Sequence, residues 1–291
     1  MLYFKTCQSL INIVKFIRHE LLKKNMDKRV ENLSLDAKEK IAYSVIEDVF
    51  NRFSRPVVVW SAGKDSTVVL HLVKKYVENT GVNMPPALFL DHGQHYDETF
   101  SMLDSVSKDW GFRVVVAKND DFINKVRDGK VMVSDLDTEN MKELEKIGLN
   151  GDTIQYNLDS ETGNHLLKTV PMKNAIRKYR FDALFVGVRW DENLARSSEV
   201  FLSKRNDPEH FRVHPILTFT EKDVWAYIFK YKLPIHPLYY KGYRSIDGKN
   251  DSKPISDKPA WEQDLENTSE RAGRSQDKEG IMERLRTLGY M

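Results

Sequence analysis

Cysteine is almost absent from this sequence, because the 291 residues include one, Cys7. This excludes an intrachain disulfide, and it excludes a zinc site or iron–sulfur cluster that takes two or more cysteines from this chain. Runs of 18 or more apolar residues are also lacking, so no membrane span is expected. The formal net charge is only +2, which gives no general electrostatic case for binding nucleic acid. These absences favour a globular cytoplasmic protein with one large domain and appendages.

One stretch near residue 60 combines a strand, a turn and a helix. Residues 57–60 are apolar and mostly β-branched, as in a buried parallel strand, and residues 68–75 have one apolar helical face. The turn between them consists of small and charged residues, so its amides and the helix dipole would converge on an anion, with Lys64 adding a full charge. The alternative is an ordinary turn with an exposed Lys–Asp pair. The predicted anion-binding residues are Trp60, Ser61, Ala62, Gly63, Lys64, Asp65 and Ser66.

The order of strands and helices predicts the fold. The expected strands are 57–60, 87–90, 112–117 and 183–186, and the expected helices are 36–53, 68–75, 97–110, 172–179 and 221–229. This alternation favours a doubly wound, mostly parallel α/β sheet with helices on both faces and right-handed crossovers. Ligands of such sheets bind at the carboxyl ends of the strands. Asp36, followed by Glu39, is expected to cap the first helix.

Three segments are expected outside or above this core. Residues 1–34 are interpreted as a basic helical extension that docks on the protein, or as an extension ahead of a start at Met26, and a membrane-facing helix is the less favoured alternative. Within the α/β domain of residues 35–237, residues 118–170 are polar and show only weak helical signals around 141–147, and they are interpreted as an irregular, partly mobile insertion over the site. Residues 238–291 are interpreted as a polar tail with little periodicity that ends in a short helix at 279–288.

Polar residues after the fourth strand are candidates for chemistry. Gly187 would let the backbone approach a ligand, and Arg189 could bind a phosphate through two parallel hydrogen bonds. Asp191 and Glu192 could position Arg196 or bind a metal ion. The alternatives are a surface salt-bridge cluster of little energetic value and a solvated helix face.

Candidate ligand-binding residues also occur after the second strand and in the tail. Asp91 and Gly93 follow the second strand, where a carboxylate can hold a ribose hydroxyl or Mg²⁺, although it could also cap a turn. Arg271 and Arg274 could bind an anion or could belong to an exposed basic coil. His214 is expected to be a packed residue at a strand end.

In order along the chain, these motifs resemble those of a known family. The motifs are Ser61–Ser66, Leu90-Asp91-His92-Gly93, Gly187-x-Arg189-x-Asp191-Glu192, Arg212-x-x-Pro215, Glu221-x-Asp223 and Pro237-Leu238-Tyr239. Over residues 35–291 the chain is similar to the PAPS reductase family of adenine-nucleotide α-hydrolases, and Ser61–Ser66 corresponds to the family's PP-loop. Ala62 stands where that loop has its first glycine, and it fits there if its φ is negative.

The resemblance implies an enzyme that cleaves ATP between its α- and β-phosphates, with Mg²⁺. Residues 268–277 are similar to the small catalytic subunit of the heterodimeric ATP sulfurylases, which implies adenylyl transfer to sulfate, release of pyrophosphate and a GTPase partner. The thiol-dependent PAPS reductases use a cysteine near the C-terminus. Residues 8–291 contain no cysteine, so that mechanism lacks its nucleophile.

The same resemblance implies roles for the candidate residues. Lys64 and Arg189 would neutralise charge on the phosphates, and Asp191 and Arg196 would complete the catalytic set. The implied nucleotide-binding set adds Asp91, Gly93, Gly187, Arg271 and Arg274 to the turn at Trp60–Ser66. Two alternatives stay open: an ATP pyrophosphatase that activates DNA or tRNA for sulfur insertion, and a non-catalytic nucleotide-binding subunit. A homo-oligomer is compatible with either.

Overall fold

The computed structural model describes residues 33–149, 151–193 and 196–274. Most of the expected N-terminal extension lies outside these residues, and so does the short helix expected at 279–288. No helix among the described residues is both long enough and apolar enough to cross a membrane.

A six-stranded sheet organises the chain. The eight strands of the described residues are β1 (Pro56–Val59), β2 (Ala87–Asp91), β3 (Val114–Lys118), β4 (Lys130–Met132), β5 (Thr153–Gln155), β6 (Ala183–Phe185), β7 (Leu202–Asn206) and β8 (Glu209–Val213). Two of them, β4 and β5, form a separate pair. The large sheet has the order β3-β2-β1-β6-β8-β7, and only β7 is antiparallel to its neighbour. The predicted doubly wound, mostly parallel fold is confirmed. The strand order reverses between β1 and β6, which is where such sheets bind ligands.

Helices cover both faces of this sheet. The helices are α1 (Leu35–Arg52), α2 (Lys64–Thr80), α3 (Asp97–Trp110), α4 (Asp120–Asn124), α5 (Thr138–Lys146), α6 (Glu161–Asn164), α7 (Val170–Tyr179) and α8 (Glu221–Tyr231). Those that pack on the sheet are α1, α2, α3 and α8 on one face and α7 on the other. Val58 of β1 packs in the core under α1, α2 and α8, whereas Val57 packs on the other face with Ile176 of α7. Both valines are fully buried. Burial on both faces explains why β1 is continuously apolar and does not alternate.

Helix ends follow local capping rules, although one cap differs from the prediction. α1 is capped by Ser34, whose hydroxyl accepts a hydrogen bond from the amide of Ala37. The prediction of Asp36 as the cap was therefore wrong by two residues. Asp36 lies in the first turn, where its negative charge interacts favourably with the positive end of the helix dipole. α8 begins with a capping box between Thr220 and Asp223, at the predicted position.

The segment expected to be an irregular insertion is folded, so this prediction was wrong. Residues 118–170 contain α4, the antiparallel pair β4–β5, α5 and α6. They enclose a hydrophobic cluster of their own around Val131, Leu144, Ile154 and Leu166. β4 and β5 have three residues each and α5 has nine, so none is long enough to show a clear period in the sequence.

A buried carboxylate ties this folded insertion to α7 and gives a pH-dependent prediction. Burial alone would raise the pKa of Glu143, but hydrogen bonds with His165, Lys146 and Lys173 hold the pKa well below the ordinary value of 4.5. A depressed pKa stabilises the fold above the unfolded pKa, and this contribution is lost as the pH falls below it. We expect Glu143→Gln to lower the free energy of unfolding at pH 7 and to have a smaller effect at pH 3. Urea unfolding at both pH values measures this, and an equal loss at both would contradict it.

Candidate functional site

The loop Ser61–Ser66 joins β1 to α2 at the switch point of the sheet. The hydroxyl of Ser66 accepts a hydrogen bond from the amide of Ser61 at 3.2 Å and so closes the loop. Gly63 is the N-cap of α2. The first amides of a helix have no acceptor within the helix. The amide of Lys64 donates to the hydroxyl of Tyr239 at 3.0 Å. The amides of Asp65 and Ser66 lie in the first turn of α2, near the exposed Ser61. This geometry can bind an oxyanion.

Ala62 has a left-handed backbone, with φ +59°, so the condition stated for an alanine at this position, a negative φ, is not met. Its methyl group is almost fully buried. An L-residue in this region costs roughly 1–2 kcal/mol relative to glycine. The loop therefore keeps the backbone that a glycine would adopt, although the residue is alanine.

Replacing Ala62 with glycine tests this strain. Ala62→Gly removes the left-handed penalty but adds freedom to the unfolded chain, worth roughly 0.4–1 kcal/mol. Loss of the buried methyl group costs a further ~0.8 kcal/mol, so the contributions nearly cancel, and we expect the free energy of unfolding to change by less than about 0.5 kcal/mol. Ala62→Val is the matched control, because a β-branched residue is poorly compatible with a positive φ, and it should destabilise the protein. Chemical denaturation of both variants checks the prediction, and a clear loss of stability on Ala62→Gly would contradict it.

The side chain of Lys64 lies inside the protein. It is 1% exposed, and its ammonium forms an ion pair with Glu270 of the tail. The ammonium also lies 3.2 Å from the carbonyl oxygen of Arg244 and 3.2 Å from Oδ2 of Asp65. These three acceptors match its three hydrogens. Burial would lower the pKa of Lys64, but Glu270 and nearby acidic groups raise it, so the ammonium stays charged.

Arg189 shares the same tail carboxylate and is completely buried. Its guanidinium forms ion pairs with Glu270 and with Asp65, and its Nε donates to Oδ1 of Asp191 at 2.8 Å. Burial would raise the pKa of Glu270, but Arg189 and Lys64 hold it far below its ordinary value. Asp191 also accepts a hydrogen bond from the first amide of α8, which belongs to Glu221.

Further ion pairs extend this group into one buried network. Arg244, which is also buried, pairs with Glu221 and donates to the hydroxyl of Thr268 in the tail. The network joins the loop, the segment after β6, the start of α8 and the tail. We call it the charge cluster, and its members are Lys64, Asp65, Arg189, Asp191, Glu221, Arg244 and Glu270.

The placement of the two predicted phosphate-binding cations differs from expectation. Lys64 and Arg189 do meet at one point, since both contact Glu270 and Asp65. They do so in the interior, behind the loop, whereas Ser61 lies on its exposed side. In this arrangement both cations are occupied by carboxylates of the chain.

Gly187 lets two backbone segments of the chain approach each other closely, whereas a close approach to a ligand was predicted. A Cβ atom on Gly187 would lie 2.9 Å from the carbonyl carbon of Asp65 and 2.9 Å from the amide nitrogen of Ser66. The segment after β6 therefore packs against the first turn of α2. A glycine is needed here because the helix start that carries the loop amides leaves no space for a side chain.

Trp60, Asp91 and Gly93 lie at the same edge of the sheet. Trp60 is buried in the core, and its indole donates to the hydroxyl of Thr67 at 3.0 Å. Asp91 accepts a hydrogen bond from the amide of Gly93 at 2.8 Å and lies 3.6 Å from Nζ of Lys118. Asp91 therefore caps its own turn, which was the alternative interpretation, while remaining at a strand end beside the loop.

Each of Arg196, Arg271 and Arg274 forms an ion pair with a carboxylate. Glu192 lies 3.3 Å from Nε of Arg196 and accepts a hydrogen bond from Arg271 at 2.9 Å. Arg274 pairs with Asp247 at 3.1 Å. The two tail arginines are therefore ordered by ion pairs with the rest of the chain, so the alternative of an exposed coil does not apply to them.

Three histidines near strand ends are neutral, packed residues. His92 and His95 stack with ring centroids 3.5 Å apart, and burial lowers the pKa of His95 to about 4. His214 is buried and donates to the carbonyl oxygen of Val200 at 2.8 Å. Burial lowers the pKa of His214 to about 3. This placement agrees with the interpretation of His214 as a packed residue.

Four residues were not assigned a role in the site, although Glu221 and Tyr239 lie in motifs of the resemblance and Glu270 lies within residues 268–277. Glu221, Arg244 and Glu270 supply buried charges, and Tyr239 accepts the first amide of α2. A buried lysine requires a buried carboxylate, so the apolar surroundings of Lys64 could have indicated that a partner exists. They could not indicate which of 43 acidic residues it is.

The fold and the loop define a class: α/β proteins that hold an anionic ligand at the carboxyl ends of parallel strands. Residues 55–254 match the model of the phosphoadenosine phosphosulfate reductase domain family. Sulfate adenylyltransferase subunit 2 of Brucella ovis is 32% identical over 241 residues, which cover 75% of this chain and 71% of that protein. The subunit 2 of Brucella anthropi is 29% identical and covers 79% and 72%. The chain belongs to the phosphoadenosine phosphosulfate reductase domain family, as its motifs predicted.

Solved structures share this fold at low sequence identity. The FMN adenylyltransferase of Candida glabrata, solved with FMN and an ATP analogue, has a TM-score of 0.59 at 13% identity and covers 91% of this chain and 99% of its own. The phosphoadenylyl-sulfate reductase of Candida auris has a TM-score of 0.53 at 16% identity, with 78% and 97% covered. These likenesses confirm the architecture.

Proposed function

We propose that this protein transfers the adenylyl group of ATP to sulfate and releases pyrophosphate. The observation that carries the proposal is the closed loop Ser61–Ser66 at the switch point of the sheet, in a chain 32% identical to a sulfate adenylyltransferase subunit 2. The absence of cysteine from residues 8–291 supports a transfer without a thiol nucleophile.

In the proposed reaction, a sulfate oxygen attacks the α-phosphorus and the bond to the bridging α–β oxygen breaks. The departing pyrophosphate would be bound by the first-turn amides of Asp65 and Ser66 and by the hydroxyl of Ser61, all at the start of α2. These donors are fixed before the reaction, so they stabilise developing charge without reorganising. No protein nucleophile is needed, and catalysis is positioning and electrostatics.

Lys64 and Arg189 would act on this reaction from behind the loop. Both cations contact the carboxylate of Asp65 in the loop and that of Glu270 in the tail. We assign them to holding the loop in its anion-binding shape. Asp191 would serve the same purpose through Arg189, and Arg196, Arg271 and Arg274 would line the neighbouring tail side of the site.

Magnesium would enter as part of the substrate, bound to the phosphates of ATP. Among the described residues, no group of three or more acidic, histidine or cysteine side chains is placed to hold a metal ion. Mg²⁺ in nucleotide sites is commonly held by one or two carboxylates together with phosphates, and Asp91 at the end of β2 would be one such carboxylate. Bound there, Mg²⁺ would neutralise phosphate charge.

A partner subunit is part of the proposal. The name subunit 2 of the relatives supports a second chain in the active assembly, and the resemblance to heterodimeric ATP sulfurylases favours a GTPase.

The direct test supplies MgATP and sulfate to the purified chain, alone and with a candidate GTPase, and follows pyrophosphate and adenylyl sulfate. The reverse reaction, ATP from adenylyl sulfate and pyrophosphate, gives a second readout. Omitting sulfate is the control. Pyrophosphate release that requires DNA or tRNA in place of sulfate would overturn the proposal.

A further inference from the structure

We propose that Glu270 of the tail is a positioning residue for the anion loop: its carboxylate holds Lys64 and Arg189 behind the loop and thereby fixes the amides that face the nucleotide. This inference rests on the proposed use of the loop for ATP. It adds a residue that acts through two others and does not itself touch the substrate.

The first argument is the position of Glu270 relative to the mouth of the loop. Lys64 extends from the loop towards the interior, where its ammonium lies 4.0 Å from Glu221 at the start of α8 and 5.8 Å from the ring centre of Tyr239. Ser61, on the other side of the loop, is exposed. Glu270 binds the interior end of Lys64, so its carboxylate supports the loop from behind and leaves the mouth open.

The second argument is the way one carboxylate serves two cations. One oxygen of Glu270 accepts from Lys64 and the other accepts from Arg189. Both cations also contact Asp65 in the first turn of α2. A change at Glu270 is therefore transmitted to the residue whose amide begins the anion site.

The third argument is that the tail is fastened on both sides of the loop. Arg271 donates to Glu192, which follows β6, and Arg274 pairs with Asp247. The segment of Asp247 packs near the end of β2, since Asp247 lies 3.5 Å from His92 and the amide of Lys249 donates to the carbonyl oxygen of Gln94. Residues 270–274 therefore lie along the carboxyl edge of the sheet, with Glu270 directed inward at the start of the segment. The hydrogen bond from Arg244 to Thr268 before it and the ion pairs of Arg271 and Arg274 after it fix the position from which Glu270 reaches the loop.

The experiment compares Glu270→Gln with Glu266→Gln. Glutamine keeps the size of Glu270 but presents an amide NH₂ to one of the two cations, so one of them loses its acceptor. Glu266 is a matched control in the same tail, because its ion pair with Lys222 is exposed. Binding of MgATP is measured by calorimetry, and the KM for ATP and the KM for sulfate are measured in adenylyl transfer.

We expect Glu270→Gln to raise the dissociation constant and the KM for MgATP about tenfold, as a small misplacement of binding groups does, with the KM for sulfate unchanged. Glu270→Asp should recover part of the loss, and Glu266→Gln should match the wild type. A purely structural role would reduce the fraction of active enzyme, and therefore kcat, without changing the KM for ATP. That result would overturn the inference.

A different contrary result has its own meaning. If Glu270→Gln binds MgATP more tightly than the wild type, the carboxylate competes with the phosphates and the positioning role is wrong. Combining Lys64→Met with Glu270→Gln adds a further check, because residues that act as a unit give non-additive losses; fully additive losses would also contradict the inference. ATP binding is measured without sulfate, so these outcomes are distinct from failure of the proposed sulfate chemistry.

Discussion

Replacing Arg189 with methionine is expected to lower the free energy of unfolding by about 3–5 kcal/mol, the usual cost of removing one partner from a buried ion pair. Arg189 is completely buried, and its guanidinium contacts Asp65, Asp191 and Glu270. Methionine fills part of the volume but leaves these carboxylates with Lys64 as the nearest remaining cation. Urea unfolding at pH 7 measures the loss, and adenylyl transfer should fall with it.

Arg177→Met is the matched control for this variant. Arg177 also pairs with two carboxylates, those of Asp207 and Glu139, but its side chain is 41% exposed. Exposed ion pairs contribute roughly 0–1 kcal/mol, so the control should change little. A loss on Arg189→Met no larger than that of the control would contradict the account of the charge cluster. Adding Glu270→Gln to Arg189→Met should restore part of the stability, because it removes one uncompensated carboxylate.

Replacing Gly187 with alanine is expected to reduce adenylyl transfer about 100-fold, the scale of loss that a misplacement of about 1 Å produces. The new methyl group would meet the backbone of Asp65 and Ser66 at 2.9 Å. Backbone atoms cannot rotate away as a side chain can, so the start of α2 must move relative to β6. The two amides assigned to pyrophosphate move with it. Steady-state assays at saturating ATP and sulfate measure the change.

Gly111→Ala separates this contact from general glycine effects. Gly111 caps α3 with φ +69°, and a Cβ atom there would meet nothing within 4 Å. The control should lose about 1 kcal/mol of stability through backbone strain and keep its activity. If Gly187→Ala keeps the wild-type rate, the close approach of the two segments has no part in catalysis.

The sequence predicts the parallel core well because its signals are local. β1, β2 and β6 are continuous apolar runs that end in polar loops, and a buried parallel strand requires that pattern. The segment between β3 and α7 was misjudged, because its elements are short. Their stability comes from packing around Leu144 and Ile154, and packing between distant short elements leaves no periodic pattern in the sequence.

The candidate site could also be predicted only in part from the sequence. The loop Ser61–Ser66 is a contiguous motif, and its position at the end of β1 follows from the sequence. The environment of Lys64 does not, because its partners are Glu270 and the carbonyl oxygen of Arg244, 206 and 180 residues away along the chain. The positive φ of Ala62 was not predictable either, since alanine by itself favours a negative value.

The long separation between Lys64 and Glu270 has a consequence for protein synthesis. Chains emerge from the ribosome N-terminus first, and domains begin to fold as they emerge. β1 and α2 are available early, but the carboxylate that neutralises Lys64 is made 206 residues later. Until then the ammonium of Lys64 has Asp65, and later Glu221, as its nearby carboxylates. A chain that ends between Val213, the last residue of β8, and position 270 contains every strand of the sheet but lacks Glu270, so the anion loop acquires its full set of contacts only in the last stage of translation.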